Sequence, residues 1–109
     1  MIAATIDPSS KKMATEQRFR ELANQWKTEC ALISSTNDMA TNFAYQQIIG
    51  MGPDVLPILL EEMQRDPDHW SWALRAITGE NPVKDEHRGN LTLIAQDWIQ
   101  WGKENGLLK

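Results

Sequence analysis

Cysteine and long apolar runs are both scarce in this chain of 109 residues. Its single cysteine, Cys30, can form neither an internal disulfide nor a cysteine-based zinc site, so the sequence fits the reducing cytoplasm. The longest apolar stretch, residues 55–60, is interrupted by Pro57 and is far shorter than the roughly 20 residues that span a bilayer. Residues 1–12 lack the apolar run of an export signal. We therefore expect a cytoplasmic protein that does not enter the membrane.

Patterns that carry catalysis are also missing. Gly50 and Gly52 are not followed by the lysine or third glycine of a phosphate-binding loop. Glu61 and Glu62 are adjacent on a predicted helix, so their side chains point about 100° apart and do not converge on one substrate atom. Cys30 falls on an apolar helix face, where burial keeps a thiol unreactive. The sequence therefore predicts no enzyme activity.

A metal site can be drawn from the two histidines, His69 and His87, and the acids near each of them in the sequence. Those acids are Asp66, Asp68, Asp85 and Glu86. The histidines lack the i, i+4 spacing that places two ligands on one helix face, and no group of cysteines supports them. We expect neither a metal nor another cofactor.

The composition is that of a folded, acidic domain. Apolar residues make up 41% and charged residues 24% of the chain, close to the globular average, and the net charge is −4. Residues 31–82 carry two basic and seven acidic side chains, a local charge of −5. An acidic surface of this kind favours a protein partner, and a basic partner would complement it.

Apolar spacing predicts an all-α fold, a compact bundle of about five helices over residues 14–109 after a flexible arm at residues 1–13. The first helix, from about residue 15 to 30, places Phe19, Leu22, Ala23, Trp26 and Cys30 on one face. A second helix is predicted from about Met39 to Ile49, with Phe43 on its apolar side.

Three further helices follow from proline and cap signals. Pro53 and Pro67 stand at first helical positions, which predicts helices over residues 53–65 and 67–78, with His69 in the first turn of the latter. The buried face of the 53–65 helix consists of Val55, Leu56, Leu59, Leu60 and Met63, which leaves Glu61 and Glu62 facing water. Asn90 is predicted to cap the last helix, which ends near Gly106.

Residues 51–63, the Asp66-Pro67-Asp68 turn and residues 73–79 together resemble a HEAT-like repeat of the phycobilisome-lyase type. The match includes Gly52, Val55, Pro57, Leu59, Leu60, Pro67, Ala73, Leu74 and Ile77. Residues 69–72, His-Trp-Ser-Trp, replace the arginine that the family usually has near the start of its second helix. Residues 44–82 are also similar to a family of small bacterial proteins, and this second resemblance implies no activity for the chain. The resemblance implies a helical hairpin that presents a surface to another macromolecule.

Five tryptophans are the best candidates for interface anchors. Trp26, Trp70 and Trp98 fall on apolar helix faces and are expected in the core. Trp72 and Trp101 fall off those faces, so each either lies in a partly exposed groove or packs against a second neighbour. We take the candidate protein-binding residues to be Trp72, Trp101, Glu61, Glu62, Arg75 and His69. The hypothesis is an adaptor, an assembly factor or a neutraliser, and a homo-oligomer is an open alternative.

A second hypothesis, from a different class, is a nucleic-acid-associated regulator. It would use the basic residues of the arm and the first helix, which are Lys11, Lys12, Arg18, Arg20 and Lys27. Acids at positions 16, 21 and 29 are interleaved with them, and the acidic net charge opposes phosphate binding. Nucleic acid is therefore the less favoured partner.

Overall fold

The computed structural model describes residues 8–109, which form six α-helices, two short 3₁₀ turns and no strand. The helices are α1 (Pro8–Glu29), α2 (Thr36–Ala40), α3 (Phe43–Gly50), α4 (Leu56–Arg65), α5 (Ser71–Thr78) and α6 (Leu91–Glu104). The 3₁₀ turns are Gly52–Val55, directly before α4, and Asp85–His87, between α5 and α6. The prediction of an all-α bundle is confirmed. No helix of the described residues has the length and apolar character needed to cross a membrane.

Helix α1 buries the predicted face but starts earlier than predicted. Phe19, Leu22, Ala23, Trp26 and Cys30 are all buried. The helix begins at Pro8, so residues 8–13 of the predicted arm are helical, while residues 1–7 lie outside the described residues. The apolar pattern did not indicate this first stretch of the helix, because residues 10–14 are all exposed and show no apolar periodicity.

The predicted second helix is in fact two helices, because two polar side chains each cap a separate start. Ser35 Oγ accepts the Asp38 N–H at 3.3 Å, and Asn42 Oδ1 accepts the Ala44 N–H at 2.8 Å. The break at Thr41 and Asn42 turns Ala44, Tyr45 and Ile48 into the core. Phe43, predicted on the apolar side, is 72% exposed.

The start of α5 is set by Tyr45, which lies on α3. The Tyr45 hydroxyl donates to the His69 carbonyl oxygen at 2.7 Å and accepts the Ala73 N–H at 2.9 Å. Helix α5 therefore begins at Ser71 instead of the predicted Pro67, and His69 precedes the helix instead of lying in its first turn. The side chain of the N-cap residue, Trp70, makes no hydrogen bond to the first turn of α5, so Tyr45 takes the place of a cap.

Four aromatic side chains form the centre of the core. The Trp70 ring lies 5.4 Å from Phe19, 4.5 Å from Trp26 and 5.6 Å from Tyr45, between centroids. The Trp26 indole N–H donates to the Met39 carbonyl oxygen at 2.9 Å, which attaches α2 to α1. Trp98, on α6, is also buried, so Trp26, Trp70 and Trp98 are core residues as predicted.

Helix α6 starts and ends as the sequence indicates. Asn90 Oδ1 accepts the Leu93 N–H at 3.1 Å, and Gly106 adopts a left-handed φ of 73° after the last turn. The faces of α4 and α6 approach closely at Gly102, where an added Cβ would lie 2.9 Å from Leu60 Cδ1. A larger residue at this position would therefore require the Leu60 side chain to move.

We expect Tyr45→Phe to lower the free energy of unfolding by about 2 kcal/mol, because it leaves a buried carbonyl and a buried N–H without their partner. Urea denaturation followed by circular dichroism measures the change. Thr28→Val, which removes an exposed hydroxyl that makes no hydrogen bond within the described residues, serves as the control. Equal stability of the two variants would show that Tyr45 does not hold the start of α5.

Candidate functional site

The six predicted binding residues lie in three separate places. Glu61 and Glu62 line a depression between α1 and α4. Trp101 lines a depression beside α6. Trp72, Arg75 and His69 lie around the outer face of α5. The structure therefore does not bring all six together into one surface.

Glu62 is part of the interior, which corrects the prediction that it faces water. Its side chain is 1% exposed, and Arg20 of α1 donates to both of its oxygens, at 2.9 and 3.1 Å. Arg65, one turn along α4, also donates to it, and Lys27 Nζ lies 3.9 Å away. The sequence could not show this because Arg20 is 42 residues distant.

Burial alone would raise the pKa of the Glu62 carboxyl, but hydrogen bonds and charge from Arg20 and Arg65 outweigh it and lower the pKa. The same pair raises the pKa of Arg20, where the hydrogen bond to Glu62 exceeds the effect of burial. Glu62 thus stays ionised and joins α1 to α4. It is a structural residue, whereas its neighbour Glu61 is exposed.

Basic side chains of α1 are matched to acids of residues 31–82. Lys11 lies 3.2 Å from Asp54, and Lys27 lies 3.1 Å from Asp66, in addition to the Arg20 contact with Glu62. Within residues 8–109, these pairs compensate three of the seven acids of residues 31–82. Asp68 and Glu80 make no ion pair in this part of the chain.

Trp101 is partly buried and packs edge-on against Trp98, with 5.5 Å between ring centroids. Its indole nitrogen is buried and has no hydrogen-bond partner among the described residues. Trp101 therefore packs against Trp98 and also lines the depression beside α6, so neither of the two alternatives left open for it excludes the other.

Trp72 is 44% exposed, whereas the other four tryptophans are buried or partly buried. Its neighbours on the outer face of α5, Arg75 and Ala76, are exposed as well, so no other element of the described residues packs over this face. Of the two alternatives left open for Trp72, the exposed one is observed.

Depressions lie on both sides of Trp72. One, of about 330 Å³, is lined by Trp72, Arg75, Ala76, Gly79, Glu80 and Asn81. The other, of about 260 Å³, is lined by Thr36, Asp68, His69, Ser71, Trp72, Gly89, Leu91 and Ile94. We call these residues together the Trp72 surface. It joins the outer face of α5 to the start of α6 and to both ends of the α5–α6 connection.

The Trp72 surface carries charged groups at its edges. Arg75 makes no ion pair or side-chain hydrogen bond within residues 8–109, and Glu80 lines the same depression. Asp68 Oδ1 accepts the His69 N–H at 2.8 Å, which shapes the turn before α5. The surface thus combines an exposed aromatic ring with carboxylates and one guanidinium.

His87 is paired with Asp97 of α6, a partner that the sequence did not suggest. His87 Nδ1 lies 2.7 Å from Asp97 Oδ2, which also accepts the Lys84 N–H at 3.1 Å. Burial acts to raise the pKa of Asp97, but these hydrogen bonds and the nearby positive charges lower it. Throughout residues 8–109, no three histidine, cysteine, aspartate or glutamate side chains are grouped so as to hold a metal ion.

Cys30 is buried, and burial, together with the charge of Glu29, raises the pKa of its thiol. A thiol in this state is a poor nucleophile.

No protein-family model, no curated protein and no solved structure matches this chain significantly. The resemblance to a HEAT-like repeat therefore stays a prediction. Within the fold, the residues that carry it form the hairpin of α4 and α5.

We expect Glu62→Gln to lower the free energy of unfolding by about 2 kcal/mol, since it removes the carboxylate that Arg20 and Arg65 share in the interior. Both arginines reach solvent, which limits the loss. Glu61→Gln removes an exposed acid at the adjacent position and should change stability by less than about 0.5 kcal/mol. Chemical denaturation at pH 7 compares the two, and equal losses would contradict the assignment.

The lowered pKa of Glu62 predicts that the stabilities of these two variants depend differently on pH in acid. A lowered pKa in the folded state means that the Glu62 carboxylate contributes stability above its unfolded value, about 4.3, and that this contribution is lost as the pH falls through the folded value. The stability of the Glu62→Gln protein should therefore fall less steeply below about pH 4 than that of Glu61→Gln. Parallel curves would show that Glu62 does not titrate with a lowered pKa.

Proposed function

We propose that this chain is a non-enzymatic protein–protein interaction module, an adaptor, assembly factor or neutraliser, and that its partner docks on the Trp72 surface. The observation that carries the proposal is the exposure of Trp72 between two depressions on a helix face that nothing in residues 8–109 covers. Trp72 lies on α5, whose inner side packs in the core through Ala73 and Leu74. The ring is thus presented on a fixed support.

A tryptophan in this setting suits an interface anchor. Its ring buries a large apolar area at little cost in conformational entropy, and tryptophan is enriched among the residues that dominate binding energy. Depressions on either side of the ring give room for two partner side chains, one toward Gly79 and one toward Ile94. Shape and apolar area on this surface therefore support docking of a protein segment.

Charge at the edges indicates the chemistry of the partner. Asp68 and Glu80 lie on opposite sides of Trp72 and make no ion pair in the described residues. The chain as a whole carries a charge of −4. A segment with an apolar side chain flanked by basic groups complements this surface, and Arg75 would take one carboxylate of the partner.

The alternative of a nucleic-acid regulator finds less support. Of its five candidate cations, Lys11, Arg20 and Lys27 are each paired with an acid of residues 31–82. Arg18 lies 3.8 Å from Glu21, and Lys12 makes no ion pair in the described residues. Breaking those pairs to bind phosphate would uncover the buried charge of Glu62.

We expect Trp72→Ala to weaken partner binding by about thirtyfold, the loss typical of a buried interface anchor, while the fold is retained. Tagged wild-type and variant proteins are used to purify partners from the native cell extract at low and high salt, and affinity for the recovered partner is then measured by calorimetry. Phe43→Ala removes another exposed aromatic ring, outside the Trp72 surface, and should bind as the wild type does.

Three outcomes would contradict this proposal. These are recovery of no specific partner, equal binding by the Trp72→Ala protein, and loss of binding only in Phe43→Ala. Affinity that falls as salt is raised would agree with charged groups at the edges of the interface.

A further inference from the structure

The connection between α5 and α6 forms two edges of the Trp72 surface. We call residues 80–89 the strap. Glu80 and Asn81, at its start, line one depression beside Trp72, and Gly89, at its end, lines the other. The position of the strap therefore decides the shape of the surface on both sides of the ring.

Glycines with a left-handed backbone stand at both ends of the strap. Gly79 has a φ of 73° and Gly89 a φ of 79°. Between them, the only regular structure is the 3₁₀ turn Asp85–His87. Because glycine moves between backbone regions at low cost, these two positions can act as hinges.

Few contacts attach the strap to the helices. Val83 packs against the core. Between residues 81 and 89, the hydrogen bonds that reach the side of a helix go to Asp97, whose Oδ2 accepts the Lys84 N–H at 3.1 Å and lies 2.7 Å from His87 Nδ1. The His87 carbonyl oxygen also accepts the N–H of Asn90, at the start of α6, at 3.1 Å. The remaining ones are local, such as Val83 N–H to Asn81 Oδ1 at 3.2 Å.

We infer that the Asp97 carboxylate is a clamp that fixes the strap against α6 and thereby regulates the Trp72 surface. Asp97 is a positioning residue, since it does not line the Trp72 surface itself. Its side chain is 9% exposed, so water competes little for the bonds that it accepts. Without them the glycine hinges release the strap, and both edges of the surface lose their fixed position.

The regulatory part of this inference rests on the proposed function, but the clamp itself is tested without a partner. The full chain is labelled with 5-fluorotryptophan, which gives one fluorine resonance for each of the five tryptophans. The Trp72→Ala protein assigns the Trp72 signal. Amide hydrogen exchange of residues 83–90 is measured on unlabelled samples of the same proteins.

We expect Asp97→Ala to accelerate exchange in residues 83–90 by about tenfold or more, since one clamping hydrogen bond alone contributes about that factor. The Trp72 resonance should shift, and at least two of the other four resonances, as expected for tryptophans of the core, should stay in place. Glu104→Ala is the matched control, because it removes an acid of the same helix that makes no hydrogen bond to the strap. Glu104 accepts a hydrogen bond from Gln100 and lines the depression beside Trp101. Neither readout should change in that variant.

Unchanged exchange in the strap, or an unchanged Trp72 resonance, would overturn the clamp. A shift of all five resonances would also overturn it, because Asp97 would then support the whole fold. Should Asp97→Ala fail to fold, His87→Ala is used instead, because it removes only one of the two bonds to Asp97. It should change exchange and the Trp72 resonance in the same direction but by less. No change in either readout of the His87→Ala protein would overturn the clamp. A failed partner search leaves these readouts valid, so the two proposals fail independently.

Discussion

The Tyr45 hydroxyl connects elements that the chain order keeps apart. It donates to the turn before α5 and accepts from the first turn of that helix, while its ring stacks on Trp70 with 5.6 Å between centroids. Trp70 in turn contacts α1 through Phe19 and Trp26. The start of α5, and with it the direction in which Trp72 points, therefore depends on a residue of α3.

The ion pairs between α1 and later parts of the chain, like the hydrogen bonds of Tyr45, join residues that are far apart in the sequence. The basic residues of α1 meet the acids of the 31–82 segment, and one of these acids, Glu62, is buried between α1 and α4 with two arginines on it. What reads along the sequence as an acidic middle and a basic first helix becomes, in the fold, a set of compensated contacts. Asp68 and Glu80, on either side of Trp72, make no ion pair within the described residues.

The surface and its support differ in how firmly they are held. The inner side of α5 is anchored in the aromatic core, whereas the strap that edges the surface is attached by Val83 and by the Asp97 carboxylate. The ring of Trp72 is thus supported by the core, whereas the strap beside it has few attachments. The outer face of α5, the start of α6 and the connection between them lie together around Trp72.

The sequence by itself determined the all-α class, the buried face of α1, most of the buried apolar residues of α4, the core role of Trp26, Trp70 and Trp98, and the cap at Asn90, because each depends on spacing or on local backbone chemistry. Only the tertiary structure decided that Glu62 is buried, that Trp101 packs while Trp72 is exposed, that the predicted second helix breaks at Asn42, and that His87 meets Asp97. The burial of Glu62 depends on Arg20, 42 residues away, and the contact of His87 depends on Asp97, ten residues away. Periodicity reveals neither of these partners.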